Sequence, residues 1–273
     1  MKNTILLLTD FSQHARNAIY YALSAFHPDE YQYILLHCYP RIMTTSDVTI
    51  SLSERMRQET YASLEAEATV IRNHTGLSIH FEKMAYLGFL NEAVNYVAKE
   101  KHPDLVVMGT KGETGLPAIL LGSHASSLIK ATNIPLLIVP ENATFKGLKE
   151  IVLAADLKTL GKPEHLEPLS ELADMFGSRL TVVNVIKDDS VERVDESQES
   201  EALEKEFTEN QIVFRHVHDH SIEHGIAQYV HDNPCDLLVV VERSRSFVVD
   251  LFHRSVSKNL ALHAETPLLI LHA

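Results

Sequence analysis

The sequence predicts an α/β protein built of two tandem open parallel five-stranded sheets, each with helices on both faces. Three observations carry this. Apolar runs of strand length alternate with stretches of helical spacing, as expected of strands buried on both faces. The stretch from Asp104 to Pro135 registers without a gap on Asp236 to Pro267, and a short apolar strand follows each. The openings correspond too: Ile5-Leu6-Leu7-Leu8-Thr9-Asp10 resembles Ile151-Val152-Leu153-Ala154-Ala155-Asp156. A chain of 273 residues suits two domains of ordinary size. Pro140, Asn142 and Gly147 interrupt the periodicity between them. The expected domains are therefore residues 1–142 and 148–273.

Each element follows in order. Ile5 to Leu8 reads as a buried strand. Ser12 is placed to cap a helix carrying Ala15, Ala18, Ile19, Ala22, Leu23 and Phe26 at helical spacing. Tyr33 to Cys38 is a second strand, and Arg41 to Ile50 a loop. A long, polar-faced helix runs from Ser53 to about Asn73 and stops at Gly76. Ser78 to Met84 is a third strand, followed after Gly88 by a helix marked by Leu90, Val94, Val97 and Ala98. Leu105 to Met108 and Leu136 to Val139 are the fourth and fifth strands. The second half repeats the order, with strands at Ile151–Ala155, Leu180–Val185, Ile212–Val217, Leu237–Val241 and Leu268–Leu271. The acidic stretch from Asp188 to Glu209 reads as a loop plus a solvated helix.

Composition sets bounds on partners. Hydrophobic residues make up 45% of the chain, and no apolar run has the length of a membrane span. Met1-Lys2-Asn3 leads directly into a strand, without the apolar segment of a secretory signal, so a cytoplasmic location is expected. Cys38 and Cys235, on or beside buried strands, fit reduced, packed thiols. A formal charge of −13 argues against nucleic acid or anionic membrane as the main partner. The fifth strands are short, apolar and uncharged. Bare edges of that kind invite pairing, either with each other in a pseudo-twofold arrangement or with copies in a homodimer.

The chemistry concentrates behind the fourth strand. Gly109-Thr110-Lys111-Gly112 is followed, after nine residues, by Gly122-Ser123 at a predicted helix start. Small residues let backbone amides approach an anion. The helix start adds unpaired N–H groups and a positive dipole end. In open parallel sheets, ligands bind beyond the carboxyl ends of strands where the strand order reverses. That rule brings Asp10, after the first strand, near Gly109, after the fourth. Each residue also has a plainer use. Ser123 fits a helix cap, Asp10 a turn, and Lys111 a solvated loop.

These residues resemble the universal stress protein family in a tandem arrangement. Nucleotide-binding members carry Gly, two residues, Gly, nine residues, Gly, then Ser or Thr, and Gly109, Gly112, Gly122 and Ser123 match that spacing. Thr9-Asp10-Phe11-Ser12 and Leu36-His37-Cys38 also look like the family. The resemblance covers essentially the whole chain. It implies a Rossmann-like fold of the adenine nucleotide alpha hydrolase-like kind and a regulatory role in stress response. It also implies ATP in the first domain, with magnesium as a candidate counter-ion. Thr9 and Asp10 would border the nucleotide, with Asp10 on the ribose. The backbone at Cys38 would meet adenine, with Met108 close by. Gly109, Gly112, Gly122 and Ser123 would hold the phosphates. Apart from the resemblance, Lys111 places a cation within the loop that is suited to offset phosphate charge.

The second half departs from this pattern. At the equivalent positions Val241, Ser244 and Arg254 replace the three glycines, and only the serine survives, as Ser255. The second domain is therefore expected not to bind ATP in the family manner, although Asp156 is retained. Arg243, Arg245 and Arg254 are candidates for an anion, with an exposed loop or a subunit contact as the favoured reading. His216, His218, His220 and His224 form a cluster. On a strand the first three would share one face, and Asp219 or Glu223 would be needed to complete a metal site. Solvated or pH-sensing histidines are the competing reading. No nucleophile-elbow or P-loop motif is present. The sequence thus favours a nucleotide-binding regulator. The alternatives are a slow ATPase or autophosphorylating enzyme at the same site, and a tandem scaffold whose second half binds a metal, lipid or anion.

Overall fold

The computed structural model describes residues 3–41, 48–110, 123–155, 163–186, 203, 205–208, 210–242 and 266–272. The chain divides into two compact units between Glu141 and Asn142.

The first unit alternates β1 (Asn3–Leu8), α1 (Gln13–Ala25), β2 (Tyr31–Tyr39), α2 (Val48–Thr75), β3 (Phe81–Leu87), α3 (Leu90–Lys101), β4 (Leu105–Gly109), α4 (Ser123–Ala131) and β5 (Leu136–Val139). Its strands lie in the order β3-β2-β1-β4-β5 and are paired in parallel throughout. The order therefore reverses between β1 and β4. Ile5 to Leu8 are all buried, since parallel strands covered on both faces have no wet side. Each such leucine or isoleucine contributes about 1.5–3 kcal/mol by leaving water.

Local chemistry sets the helix limits. Ser12 stays extended, and its hydroxyl accepts the Ala15 N–H at 3.2 Å, capping α1 as expected. Ala15, Ala18, Ile19, Ala22 and Leu23 then face the core. Leu64, Ala68 and Ile71 do the same for α2. α3 ends where His102 turns left-handed at φ 46°, immediately before Pro103. Two limits differ from the sequence reading. α2 begins at Val48, inside the stretch expected to be a loop. β3 begins at Phe81 instead of Ser78, because its ladder with β2 starts at Tyr33 opposite Phe81. Ile79 is buried outside that ladder.

The second unit contains β6 (Glu150–Ala154), a short 3-10 turn (Pro163–Leu166), α5 (Glu167–Phe176), β7 (Arg179–Ile186), β8 (Gln211–His218), α6 (Ile222–Asp232), β9 (Leu237–Glu242) and β10 (Leu268–His272). Its order is β10-β9-β6-β7-β8, again parallel, so each half is a Rossmann-like α/β sheet with the same topology. Gly177, left-handed at φ 59°, ends α5 and donates its N–H to Ala173.

One device recurs at the amino ends of the strands. In the first unit the Asp104 carboxylate accepts the Thr4 N–H at 2.7 Å, and the Asp104 N–H donates back to Thr4 at 2.9 Å. In the second, Asp236 accepts from Lys149 at 2.8 Å and Glu150 at 3.0 Å, and donates to Glu150 at 2.8 Å. An aspartate before the fourth strand thus fastens the start of the first in both halves.

Candidate functional site

In the first unit the site residues gather at the reversal point, where β1 and β4 lie side by side. Leaving β1, the backbone makes a tight turn, with Phe11 left-handed at φ 66°. Three polar side chains within four residues bind the backbone of that turn. Thr9 Oγ1 accepts the Phe11 N–H at 2.9 Å, Asp10 Oδ1 accepts the Ser12 N–H at 3.0 Å, and Ser12 caps α1. Such short side chains satisfy backbone groups that a bend leaves without partners. Thr9 is also tied to β2. Its N–H donates to Leu36 at 3.0 Å, and its carbonyl accepts His37 Nδ1 at 2.8 Å. His37 in turn lies against Phe11, with ring centroids 4.3 Å apart. Thr9, Asp10, His37 and Cys38 are therefore brought to one edge of the sheet.

β4 delivers Met108 and Gly109 to the same edge. Met108 is buried. Gly109 ends the strand, beside the Thr110 N–H that donates to Val139 at 3.2 Å. Its lack of a side chain has a reason the sequence did not reveal. A Cβ there would lie 2.9 Å from the His14 carbonyl oxygen and 3.2 Å from its carbon. Gly109 thus allows the first turn of α1 to press onto β4. Ser123 is the first residue of α4, at the helix start where it was expected. Lys111, Gly112 and Gly122, with Asp156 and the arginines at 243, 245 and 254, lie outside the described residues.

The Cys38 thiol is pushed up to about 12 by burial. Cys235 is pushed up to about 12 mainly by burial, with the Asp236 charge adding to it. Both are therefore neutral thiols at physiological pH, consistent with packing in place of nucleophilic chemistry.

The histidines of the second unit are placed differently from the sequence grouping. β8 ends at His218, so His220 lies beyond the strand. His216 and His218 are exposed along β8. The groups that converge are Asp219, His220 and His224, whose ligand atoms all lie within 4.8 Å of one another. His220 Nδ1 is 2.9 Å from Asp219 Oδ1, and His224 Nδ1 is 2.6 Å from Asp219 Oδ2. Burial opposes the charge on Asp219. The Ser221 N–H and the two imidazoles outweigh it and hold the carboxyl below its usual range. Among the described residues no helix is long and apolar enough to cross a membrane.

Comparison with known proteins gives these sites a context. The family model described as "Universal stress protein family" matches residues 1–140 and again 147–272. The chain is 39% identical over 88 residues to universal stress protein MJ0531 of Methanocaldococcus jannaschii, covering 32% of this chain and 50% of that protein. It is 38% identical over 53 residues to universal stress protein MJ0577 of the same organism, covering 19% of this chain and 33% of that one. The chain thus spans half or less of the length of these relatives. The solved structure of a universal stress protein from Archaeoglobus fulgidus matches at a TM-score of 0.70 and 15% identity, covering 99% of this chain and 98% of that one. That likeness concerns the fold. With the family model matched twice, over nearly the whole sequence, the chain belongs to the universal stress protein family.

Proposed function

We propose that this chain is a cytoplasmic regulatory protein of the stress response that holds ATP in its first unit as a conformational ligand. The observation that carries the reading is a coincidence of spacing and place. The series Gly109, Gly112, Gly122, Ser123 begins at the end of β4 and finishes at the first residue of α4, beside the point where the strand order reverses. Asp10 and the Cys38 backbone stand at the neighbouring strand ends. In this reading Asp10 takes the ribose, with Thr9 and Met108 bordering the nucleotide. The Cys38 backbone meets adenine, and the glycines with Ser123 receive the phosphates. Lys111 and a magnesium ion offset their charge. Binding then biases conformation or assembly, to the extent that ATP favours one state over another.

The test begins with mass spectrometry of the denatured, purified protein for co-purified nucleotide, followed by calorimetric titration with ATP. One site per chain is expected, with binding lost in Asp10→Ala and Gly122→Val. Equal affinity in wild type and both variants would sink the reading. Single-turnover assays with labelled ATP should return intact ATP. Turnover abolished by the same substitutions would instead assign an ATPase. We also propose that the edges of the fifth strands, whose apolar side chains are buried, are satisfied by pairing, within a chain or between two copies. Light scattering at twice the chain mass would assign the second.

A further inference from the structure

The loop after β8 holds a cluster that the nucleotide reading does not use. Its formation is local. The Asp219 N–H donates to Ile186 at 3.2 Å, which anchors the residue to the end of β7. Asp219 Oδ1 accepts the Ser221 N–H at 3.0 Å, closing a turn. Ser221 caps α6 by accepting the His224 N–H at 3.3 Å, so the first helical turn carries His224 back over Asp219. Gly225 permits the close approach. A Cβ there would sit 2.9 Å from Val185 Cγ1 and 3.1 Å from Asp219 Cβ. The carboxylate is consequently held, with 12% of its side chain exposed, between two imidazoles whose rings lie 5.2 Å apart.

We propose that Asp219, His220 and His224 form a binding site for a divalent transition-metal ion, with zinc the best match. Two imidazole nitrogens and one carboxylate are the donor set such ions favour, and a water can fill the fourth position. The carboxylate cannot donate, so both rings now present a protonated Nδ1 to it. An ion entering the cluster replaces those two protons. Each neutral ring then carries its single proton on Nε2, whose N–H donates a hydrogen bond to solvent. Bonds of about 2.0–2.2 Å place tetrahedral ligand atoms roughly 3.4 Å apart. The present contacts of 2.9 and 2.6 Å must therefore open by about 0.5 and about 0.8 Å. The His220 side chain is 77% exposed and the His224 side chain 38%, which leaves both rings room to turn away from the carboxylate. The ion takes the place of the two hydrogen bonds between carboxylate and rings. The first unit has no counterpart, since Leu87, Gly88 and Glu92 occupy the equivalent positions.

The experiment is calorimetric titration of the nucleotide-free, tag-free full chain with zinc chloride near neutral pH. One zinc per chain is expected. Asp219→Asn, His220→Gln and His224→Gln should each weaken binding at least about tenfold. His231→Gln, at the other end of α6, should change nothing. Asparagine preserves the turn, because its amide oxygen still accepts the Ser221 N–H. His220→Gln removes only an exposed ring, so the test survives even if another variant is unstable. Cobalt added in place of zinc should give the intense visible absorption of a tetrahedral site, absent in Asp219→Asn. Failure of the wild-type chain to bind zinc would overturn the proposal. So would unchanged affinity in the His220 and Asp219 variants, or a larger loss from His216→Gln.

Discussion

Arg16 donates three hydrogen bonds to Glu67, two from Nε at 3.0 Å and one from its terminal nitrogen at 2.8 Å. The Glu67 side chain is only 2% exposed. A carboxylate that far from water depends on its partner, and the pairing in turn raises the Arg16 guanidinium above its ordinary value, the bond to Glu67 being the main cause. Arg16→Met should destabilise the protein by about 3 kcal/mol in urea unfolding, because it strands a buried charge. The double variant with Glu67→Met should recover most of that loss, and equal losses in both would refute the account. The two half-buried thiols make a second prediction. Their folded values, pushed up to about 12, lie above the unfolded value of about 8.5. Their stabilising effect is therefore complete below about pH 8.5 and is lost as the pH rises from there towards about 12. At pH 8 the folded thiols should react with a disulfide reagent about a thousandfold more slowly than in urea. Fast labelling of the native chain would contradict this.

The two halves provide an internal comparison of helix starts. Ser221 caps α6 through its side chain, whereas Phe89, its counterpart before α3, adopts the same extended conformation with no side-chain cap. Phe89 is also 77% exposed. Phe89→Ser should therefore stabilise the first unit by about 1 kcal/mol, measured by chemical unfolding, since it supplies the missing acceptor and exposes less apolar surface. A neutral or destabilising result would mean that the phenylalanine makes a contact of its own. The same local logic explains what was legible in the sequence. The continuous apolar runs and the Ser12 cap were visible because they rest on neighbours within a few residues. The start of β3 was not, because its ladder is set by Tyr33 on another strand. The need for glycine at position 109 depends on His14, distant in sequence, so only its smallness could be read. The Asp219 cluster is the instructive intermediate case. Its Asp-x-Ser-x-x-His pattern is local, but grouping histidines by strand period concealed the turn that unites Asp219 with His224.

At the scale of the whole molecule, the two units share one topology and differ in chemistry at their strand ends. Their ligands should separate accordingly. In scanning calorimetry, ATP at about a hundred times its dissociation constant should add about 2.7 kcal/mol to the unit that binds it and leave the other unit's transition in place. Zinc should shift the complementary transition. If both ligands moved the same transition, the assignment of one site to each half would fall. The paired aspartates before the fourth strands add a consequence for motion. Asp104 and Asp236 rivet the amino-terminal edge of each sheet to the first strand with charge-assisted bonds. Among the described residues, the ties between strands at the opposite edge, where both candidate sites lie, come from the His37 ring and from main-chain groups such as the Asp219 N–H. Each sheet is thus clamped by a carboxylate at one margin, while the described ties at the other are ring and main-chain bonds. Amide hydrogen exchange should show this as a gradient along β1 and β6, with the slowest protons nearest the aspartates and the fastest at the margin where a ligand would arrive.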